Sequence, residues 1–201
     1  MQTLLFTIIE NKLFKISRQI TLIFLIFIGC SLKDKEPLNK SKYYTAIVEI
    51  PAGTNKKFEF NYASQTFEVE NINGKERVIN YLPYPGNYGF ISNTYMDPEN
   101  GGDGDALDVL IISESIEQGS KVEINPIGIL KLLDNGEEDH KVIAIPQDSK
   151  MNFLMDSIPS SVKTIIQTWF CNYKGPNKTK YISWGDRNEA IDEIKKWTIN
   201  K

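Results

Sequence analysis

The sequence predicts an α+β fold in which a small β-barrel is flanked by two main α-helices. Between about residues 43 and 133, short segments rich in β-branched and aromatic residues alternate with turns of Gly, Pro and Asn. Two segments with helical apolar spacing follow towards the C-terminal end. The chain has 201 residues, of which 41% are hydrophobic, so it is long enough for one compact domain with its own core.

Six segments have the length and composition of β-strands. Their separation by turn residues favours a small barrel. In chain order the predicted strands are YYTAIVEI, KFEFNY, TFEVE, RVINYL, DVLIIS and VEINPIGILKLL.

Two helices are predicted after the strands. The first helix is expected to have Ser160 or Ser161 as its N-cap and to carry one apolar face. The second is expected to begin at Asp186, with Glu189 three residues later as in a capping box. The predicted apolar faces comprise Val162, Ile165, Ile166, Trp169 and Phe170 in the first helix and Ala190, Ile191, Ile194 and Trp197 in the second.

Residues 1–29 have the features of a signal peptide. Three basic residues precede the apolar run Ile20–Ile28, which is too short to span a bilayer and matches the apolar core of a signal sequence. The pair Gly29-Cys30 resembles the lipobox of bacterial lipoproteins, so Cys30 is expected to be lipidated and residues 30–42 to form a tether. This predicts a lipid-anchored protein of the bacterial cell envelope. The alternatives are an uncleaved membrane anchor, a buried strand or a cytoplasmic protein.

Charge and cysteine content exclude some classes of function. Cleavage before Cys30 would remove three basic residues and one acidic residue, which changes the formal charge from −3 to −5. A net-acidic domain is a poor candidate for binding nucleic acid. Cys171 is the only other cysteine, so the mature domain is expected to lack a disulfide.

The segment GGDGDALDVLIIS places Asp103, Asp105 and Asp108 in a glycine-rich turn that leads into a strand. Like charges this close repel one another unless a cation compensates them. Carboxylate oxygens favour magnesium, manganese or calcium, and a histidine-rich zinc site is excluded because His140 is the only histidine. The sequence therefore predicts a site for a hard divalent cation.

Three other interpretations of this segment are available. Counting from Asp97, the acidic spacing mimics a helix-loop-helix calcium site, but Gly101 stands where a ligand is needed and a strand follows. An aspartyl-phosphate phosphatase would place its aspartates after an apolar strand, whereas here the apolar run comes second. A solvated acidic turn is the common explanation for an isolated motif of this kind.

The segment is not isolated, because a second acidic cluster and a set of basic and phenolic residues accompany it. The cluster LLDNGEEDHK by itself would be an exposed hairpin turn. It contains Asp134, Glu137, Glu138 and Asp139, with Lys141 next to it. The groups suited to binding phosphate are Lys57, Arg77, Tyr84, Tyr88, Tyr173 and Lys174.

Taken together, these motifs resemble those of the soluble family I inorganic pyrophosphatases. The resemblance rests on EIPAGTNKKFEF, YLPYPGNYGF, GDGDALDVL, GILKLLDNGEEDHKVIAIP and FCNYKG, and it extends over about residues 44–184. It implies a five-stranded barrel of OB type with two main helices, in a domain that covers residues 43–201. It also implies hydrolysis of pyrophosphate with magnesium, for which manganese could substitute, inhibition by calcium, and a homo-oligomer.

The same resemblance assigns expected roles to site residues. Asp105 would be the general base that takes a proton from the attacking water. Asp103, Asp108 and Asp139 would hold one magnesium, Asp134 would help to bind a metal that arrives with substrate, and Glu49 and Glu59 would be outer or additional ligands. The groups expected to bind pyrophosphate are Lys57, Arg77, Tyr88, Lys141, Tyr173 and Lys174. Lys75 is an alternative to Arg77, because the preceding hairpin departs in length from the family pattern.

The rival class is a binding module, an OB-like barrel that binds phosphate, metal or oligonucleotide without catalysis. Asp105 argues against it, because a simple metal site would not need this third carboxylate.

Overall fold

The computed structural model describes residues 43–61, 63–151 and 157–199. The predicted signal peptide, the tether and Cys30 lie outside this part of the chain. The described residues form an α+β fold with a mixed sheet and two main helices, as the sequence predicts. No helix in these ranges is long and apolar enough to cross a membrane.

Eleven strands, two α-helices and one short 3-10 helix are present in the described ranges. The strands are β1 (Tyr44–Ile50), β2 (Phe58–Asn61), β3 (Thr66–Val69), β4 (Asn71–Ile72), β5 (Lys75–Glu76), β6 (Asn87–Ile91), β7 (Asp108–Ile111), β8 (Lys121–Asp134), β9 (Glu137–Glu138), β10 (Lys141–Pro146) and β11 (Thr179–Gly185). The helices are α1 (Ser160–Asn172) and α2 (Arg187–Trp197), and the 3-10 helix is Pro98–Asn100.

Five of the strands pair in a closed ring. β1 pairs with β6, β6 with β7, β7 with β10, β10 with β8, and β8 returns to β1; only the β7–β10 pair is parallel. β8 also pairs with β11 over residues 129–134 and forms a hairpin with β9. Two small hairpins, β2–β3 and β4–β5, stand apart from the ring.

The core consists of two apolar clusters, and strand alternation distributes residues between them. Along β7, Leu110 belongs to the cluster that contains the buried face of α1, whereas Val109 and Ile111 belong to the cluster that contains the buried face of α2. Both faces of β7 are therefore buried, one in the cluster that contains α1 and the other in the cluster that contains α2. This explains why β7 and β10 are continuous apolar runs rather than alternating patterns.

The segment RVINYL is not a strand, contrary to the prediction. It contributes one bridge, between Val78 and Lys56, before the chain turns at residues 80–82. The prediction was wrong because a strand needs a continuous partner strand as well as β-propensity, and besides that bridge this segment makes only separate backbone hydrogen bonds. Leu82 is 68% exposed.

Six strands were not predicted, namely the longer strands β6, β10 and β11 and the two-residue strands β4, β5 and β9. β6 was hidden by Gly89, which breaks a strand pattern but is required here, because a Cβ would lie 1.9 Å from the carbonyl oxygen of Ile47 on β1. β10 lies next to an acidic segment, and β11 has few β-branched residues, with three of its seven residues exposed.

The two helices differ in how well their limits were predicted. The capping box of Asp186 and Glu189 is present at the start of α2, and the buried residues of that helix are Ala190, Ile194 and Trp197. α1 follows Pro159, and neither Ser160 nor Ser161 caps it. Ile165 is 62% exposed, so the buried face of α1 is narrower than predicted.

Candidate active site

A cavity of about 320 Å³ is lined by all the described residues to which the family resemblance assigns a role. Its volume is at the lower end of the range for small-molecule sites. The wall is formed by Glu49, Lys57, Glu59, Arg77, Tyr88, Asp103, Asp105, Asp108, Asp134, Asp139, Lys141, Tyr173 and Lys174, together with Phe60, Phe90 and Ala106. The cavity thus combines seven carboxylates with four basic side chains.

These residues come from the ends of elements rather than from one segment. Asp108 begins β7, Asp134 ends β8 and Lys141 begins β10, so the ring brings them to the same region. Tyr173 and Lys174 follow the last residue of α1. The β8–β9 hairpin predicted from LLDNGEEDHK turns at Asn135 and Gly136, both of which have positive φ, and the chain then returns to the cavity at Asp139.

Backbone hydrogen bonds fix the turn that carries Asp103 and Asp105. The amide of Met96 donates to the carbonyl of Asp105 at 2.7 Å, and the amide of Gly104 donates to the carbonyl of Met96 at 2.8 Å. Gly102 lies so close to Met96 that a Cβ would be 2.4 Å from its carbonyl carbon and oxygen. The strand begins at Asp108, so Asp105 belongs to the turn.

Asp108, Asp139 and Lys141 form the most buried ionic group of the site. The ammonium of Lys141 contacts carboxylate oxygens of both aspartates, and the hydroxyl of Tyr88 donates to Asp108 Oδ2 at 2.5 Å. Burial would lower the pKa of Lys141, but Asp108 and Asp139 raise it. Burial would conversely raise the pKa of Asp139, and Lys141 and Lys174 lower it. Lys141 is therefore a permanent cation.

The two aspartates of the turn have carboxyl groups that are harder to ionise. Burial raises the pKa of Asp103, and the nearby charge of Asp108 adds to the effect. The backbone amide of Asp105 donates a hydrogen bond to Asp103 Oδ1 at 3.1 Å. Burial and then Asp108 raise the pKa of Asp105. Within the described ranges, no ion pair or hydrogen bond engages the carboxylate of Asp105. Its oxygens are therefore available to a ligand or to a proton.

The remaining charged residues are placed around this centre. Lys174 Nζ donates to Asp134 Oδ2 at 2.6 Å, and Lys57 Nζ lies 3.6 Å from Glu59 Oε1 and 5.6 Å from the centre of the Tyr88 ring. Glu49 accepts the amide of Phe60 at 2.9 Å. Burial raises the pKa of Glu49 to about 7, although Lys57 acts in the opposite direction.

Arg77, and not Lys75, contributes to the wall of the cavity. Lys75 lies on the exposed hairpin β4–β5 and is itself exposed. Arg77 is held by a residue that sequence reasoning missed: its Nη1 donates to Glu70 Oε2 at 2.6 Å. Glu70 could not be singled out from the sequence, because the hairpin separates it from Arg77.

Tyr84 does not contribute to the cavity, although it was grouped with the phosphate-binding residues. It is 2% exposed and lies within an aromatic group, with its ring centre 5.2 Å from that of Tyr88 and 4.5 Å from that of Trp169. Trp169 in turn stacks on Tyr173 at 4.4 Å. The aromatic group therefore supports Tyr88 and Tyr173 from behind.

The donor set of the cavity fits a divalent cation that prefers oxygen. Asp103, Asp105, Asp108 and Asp139 supply carboxylate oxygens, and the cavity wall includes no histidine or cysteine. Asp97, the start of the calcium-loop pattern, instead caps the 3-10 helix through the amide of Glu99 at 2.9 Å.

A second cluster of possible ligands lies outside the cavity. It consists of Glu138, His140 and Glu193, whose ligand atoms lie within 4.8 Å of one another. Lys196 already supplies a cation there, because its Nζ bonds Glu138 Oε2 at 2.7 Å. This group links α2 to the segment around Asp139.

Comparison with known proteins identifies the family. The sequence profile described as inorganic pyrophosphatase matches residues 46–200. The inorganic pyrophosphatase of Sulfolobus acidocaldarius is 34% identical over 166 residues, which are 78% of this chain and 90% of that protein. The enzyme of the same name from Saccharolobus solfataricus is 38% identical over 159 residues, which are 74% of this chain and 86% of that protein.

A solved structure agrees with the sequence comparisons. The crystal structure of an inorganic pyrophosphatase from Neisseria gonorrhoeae matches with a TM-score of 0.62 and 31% sequence identity. The match covers 77% of this chain and 88% of the Neisseria gonorrhoeae chain. The cavity described above falls within the matched residues. This chain therefore belongs to the inorganic pyrophosphatase family.

Proposed function

We propose that this chain hydrolyses inorganic pyrophosphate to two phosphates in a reaction that depends on a divalent metal, with magnesium as the preferred ion and manganese as a possible substitute. The observation that carries the proposal is the joint presence of carboxylates and basic side chains in one cavity. Pyrophosphate arrives with bound cations, so a site for it needs groups that bind metal and groups that bind phosphate oxygens.

The carboxylates of Asp103, Asp108 and Asp139 would hold the metal, with Asp134 adding a ligand when substrate binds and Glu49 and Glu59 acting as outer ligands. When bound, the metal would neutralise charge on the phosphate oxygens and lower the pKa of a coordinated water. Lys141 keeps Asp108 and Asp139 in place, because it contacts both of them.

Asp105 is the proposed general base. Its carboxylate has no hydrogen-bond partner among the described residues, and burial raises its pKa, which makes it a better proton acceptor than an ordinary aspartate. A proton from the attacking water would move to one of its two oxygens.

The basic and phenolic residues would bind the pyrophosphate oxygens. Lys57, Arg77 and Lys174 offer N–H donors and Tyr173 adds a hydroxyl group, whereas Tyr88, whose O–H donates to Asp108, would have to release that carboxylate to bind substrate. Such fixed donors stabilise charge on the departing phosphate without reorganising during the reaction.

Phosphate release tests the proposal. Full-length protein should release phosphate from pyrophosphate with magnesium, lose this activity in excess chelator and regain it on addition of magnesium or manganese. Calcium should inhibit, because its looser coordination would misplace the water. Undiminished turnover in excess chelator would contradict the metal dependence. Binding of magnesium and pyrophosphate without turnover would favour a binding module.

We further propose that the ring of five strands is a barrel of the OB type, and that the protein is a homo-oligomer, which light scattering can measure.

We also propose cleavage after residue 29, lipidation of Cys30 and attachment of the domain to the bacterial cell envelope through the tether 30–42. Acyl labelling and membrane fractionation of wild type beside Cys30→Ser test the anchor. Equal distribution of the two proteins would favour an uncleaved anchor or a cytoplasmic enzyme.

A further inference from the structure

Glu70 lies behind Arg77, away from the cavity. Arg77 is part of the cavity wall, whereas Glu70 is not. The two side chains are joined by a hydrogen-bonded ion pair of 2.6 Å, and each is only 23% exposed. This pair is therefore more constrained than a surface ion pair between two flexible side chains.

The backbone around this pair is locked as well. The amide of Arg77 donates to the carbonyl of Glu70 at 2.7 Å, the amide of Glu70 to the carbonyl of Lys57 at 2.9 Å, and the amide of Lys57 to the carbonyl of Arg77 at 3.1 Å. These three hydrogen bonds connect the backbones of Lys57, Glu70 and Arg77 in a closed triangle. Two of the three, Lys57 and Arg77, are proposed phosphate-binding residues. The hairpin β4–β5 projects from this triangle, and all of its residues are exposed.

No other described residue makes a hydrogen bond or an ion pair with the guanidinium of Arg77. Glu76 is the adjacent carboxylate in the sequence, but it bonds to Lys56 at 2.7 Å on the exposed side of the hairpin. Burial alone would lower the pKa of Arg77, and the contacts with Glu70 raise it. Glu70 is thus the partner of a partly buried cation.

We propose that Glu70 is a positioning residue that orients Arg77 towards the substrate. A guanidinium has five N–H donors in a fixed plane. Occupying one edge of that plane with Glu70 leaves the other donors free for phosphate oxygens and restricts the rotation of the side chain. The proposal rests on the proposed function, because it assigns Arg77 a phosphate-binding role.

A double-mutant cycle tests whether Glu70 acts through Arg77. We expect Glu70→Ala to lower kcat/KM for pyrophosphate by about tenfold or more, the scale of one charge-assisted hydrogen bond, with a larger loss for Arg77→Ala. In the Arg77→Ala background, Glu70→Ala should cause no further loss. Glu70→Gln, which keeps an oxygen acceptor, should restore part of the activity. Glu76→Gln is the matched control and should retain wild-type kinetics.

Binding of imidodiphosphate, a non-hydrolysable analogue, gives a second readout by calorimetry. Glu70→Ala should weaken this binding by a similar factor in wild type and leave it unchanged in the Arg77→Ala background. Thermal unfolding checks that each variant is folded. Additive losses in both assays, or wild-type behaviour of Glu70→Ala, would overturn the proposal. If wild type binds the analogue but does not hydrolyse pyrophosphate, the proposed function fails while the binding cycle still decides the role of Glu70.

Discussion

At the scale of single residues, three aspartates of one motif have three different surroundings. Asp108 is held by Tyr88 and Lys141, and Asp103 accepts a backbone amide, whereas the carboxylate of Asp105 has no partner among the described residues. A residue already fixed between a hydroxyl and an ammonium is suited to bind a metal in a constant position. A carboxylate without such partners is better suited to receive a proton.

These surroundings predict different consequences for Asp105→Asn and Asp108→Asn. Asp105→Asn should lower kcat by roughly 10²-fold or more and leave metal affinity nearly intact, because it removes the proton acceptor. Asp108→Asn should weaken metal binding, since it removes charge from a proposed ligand of the cation. Magnesium titrations of each variant, followed by activity and by calorimetry, distinguish the two effects. Full activity of Asp105→Asn would refute its role as a base.

At the scale of an element, the turn of residues 101–105 is positioned by contact with Met96. Gly102→Ala should displace this turn, because the new Cβ would overlap the backbone of Met96, which cannot move aside as a flexible side chain could. We expect a loss of metal affinity of about tenfold or more, since small displacements of ligands are costly. The measurement is a magnesium titration followed by calorimetry.

Gly53→Ala is the control for this prediction. Gly53 has a φ of 82°, so alanine adds backbone strain, but the added Cβ would meet nothing within 4 Å. It should lower the free energy of unfolding by about 1 kcal/mol without changing metal affinity. Equal metal affinity in Gly102→Ala and wild type would show that the turn tolerates displacement.

The elements also show what could be predicted from sequence. The start of α2 was predictable because its capping box is local, with Asp186 and Glu189 three residues apart. The absence of a strand at RVINYL was not predictable, because strand pairing depends on a partner that is distant in the sequence. The motifs named residues that the fold brings to one cavity, but the pair of Glu70 and Arg77 depends on the hairpin between them. The position of Tyr84 behind the cavity likewise depends on packing against α1.

The capping box of α2 gives a stability prediction. Asp186→Ala should lower the free energy of unfolding by about 1 kcal/mol, because the amides of Asn188 and Glu189 lose their acceptor. Denaturant unfolding measures the change. Asp192→Ala, on the exposed face of the same helix, should change the free energy by no more than about 0.5 kcal/mol. Equal effects of the two variants would contradict the role of the cap.

At the scale of the whole molecule, the described fold and the family match occupy nearly the same residues. The first strand begins at Tyr44 and the match begins at residue 46. A protein of residues 43–201 should therefore keep the kcat, KM and melting temperature of the chain from residue 30 onward. Kinetics and thermal unfolding of both proteins test this prediction. A large loss in the shorter protein would mean that residues 30–42 belong to the domain.

The closed ring of strands has a consequence for how the chain folds. β1 completes the ring by pairing with β8, as in the pair Tyr44 and Ile124, so its partners are about 80 residues apart in the sequence. Such distant contacts make a chain slow to fold, on the scale of milliseconds to seconds. During synthesis, β1 leaves the ribosome long before β8 exists. Glu49, carried by β1, can therefore reach its final position only after more than half of the chain has been made.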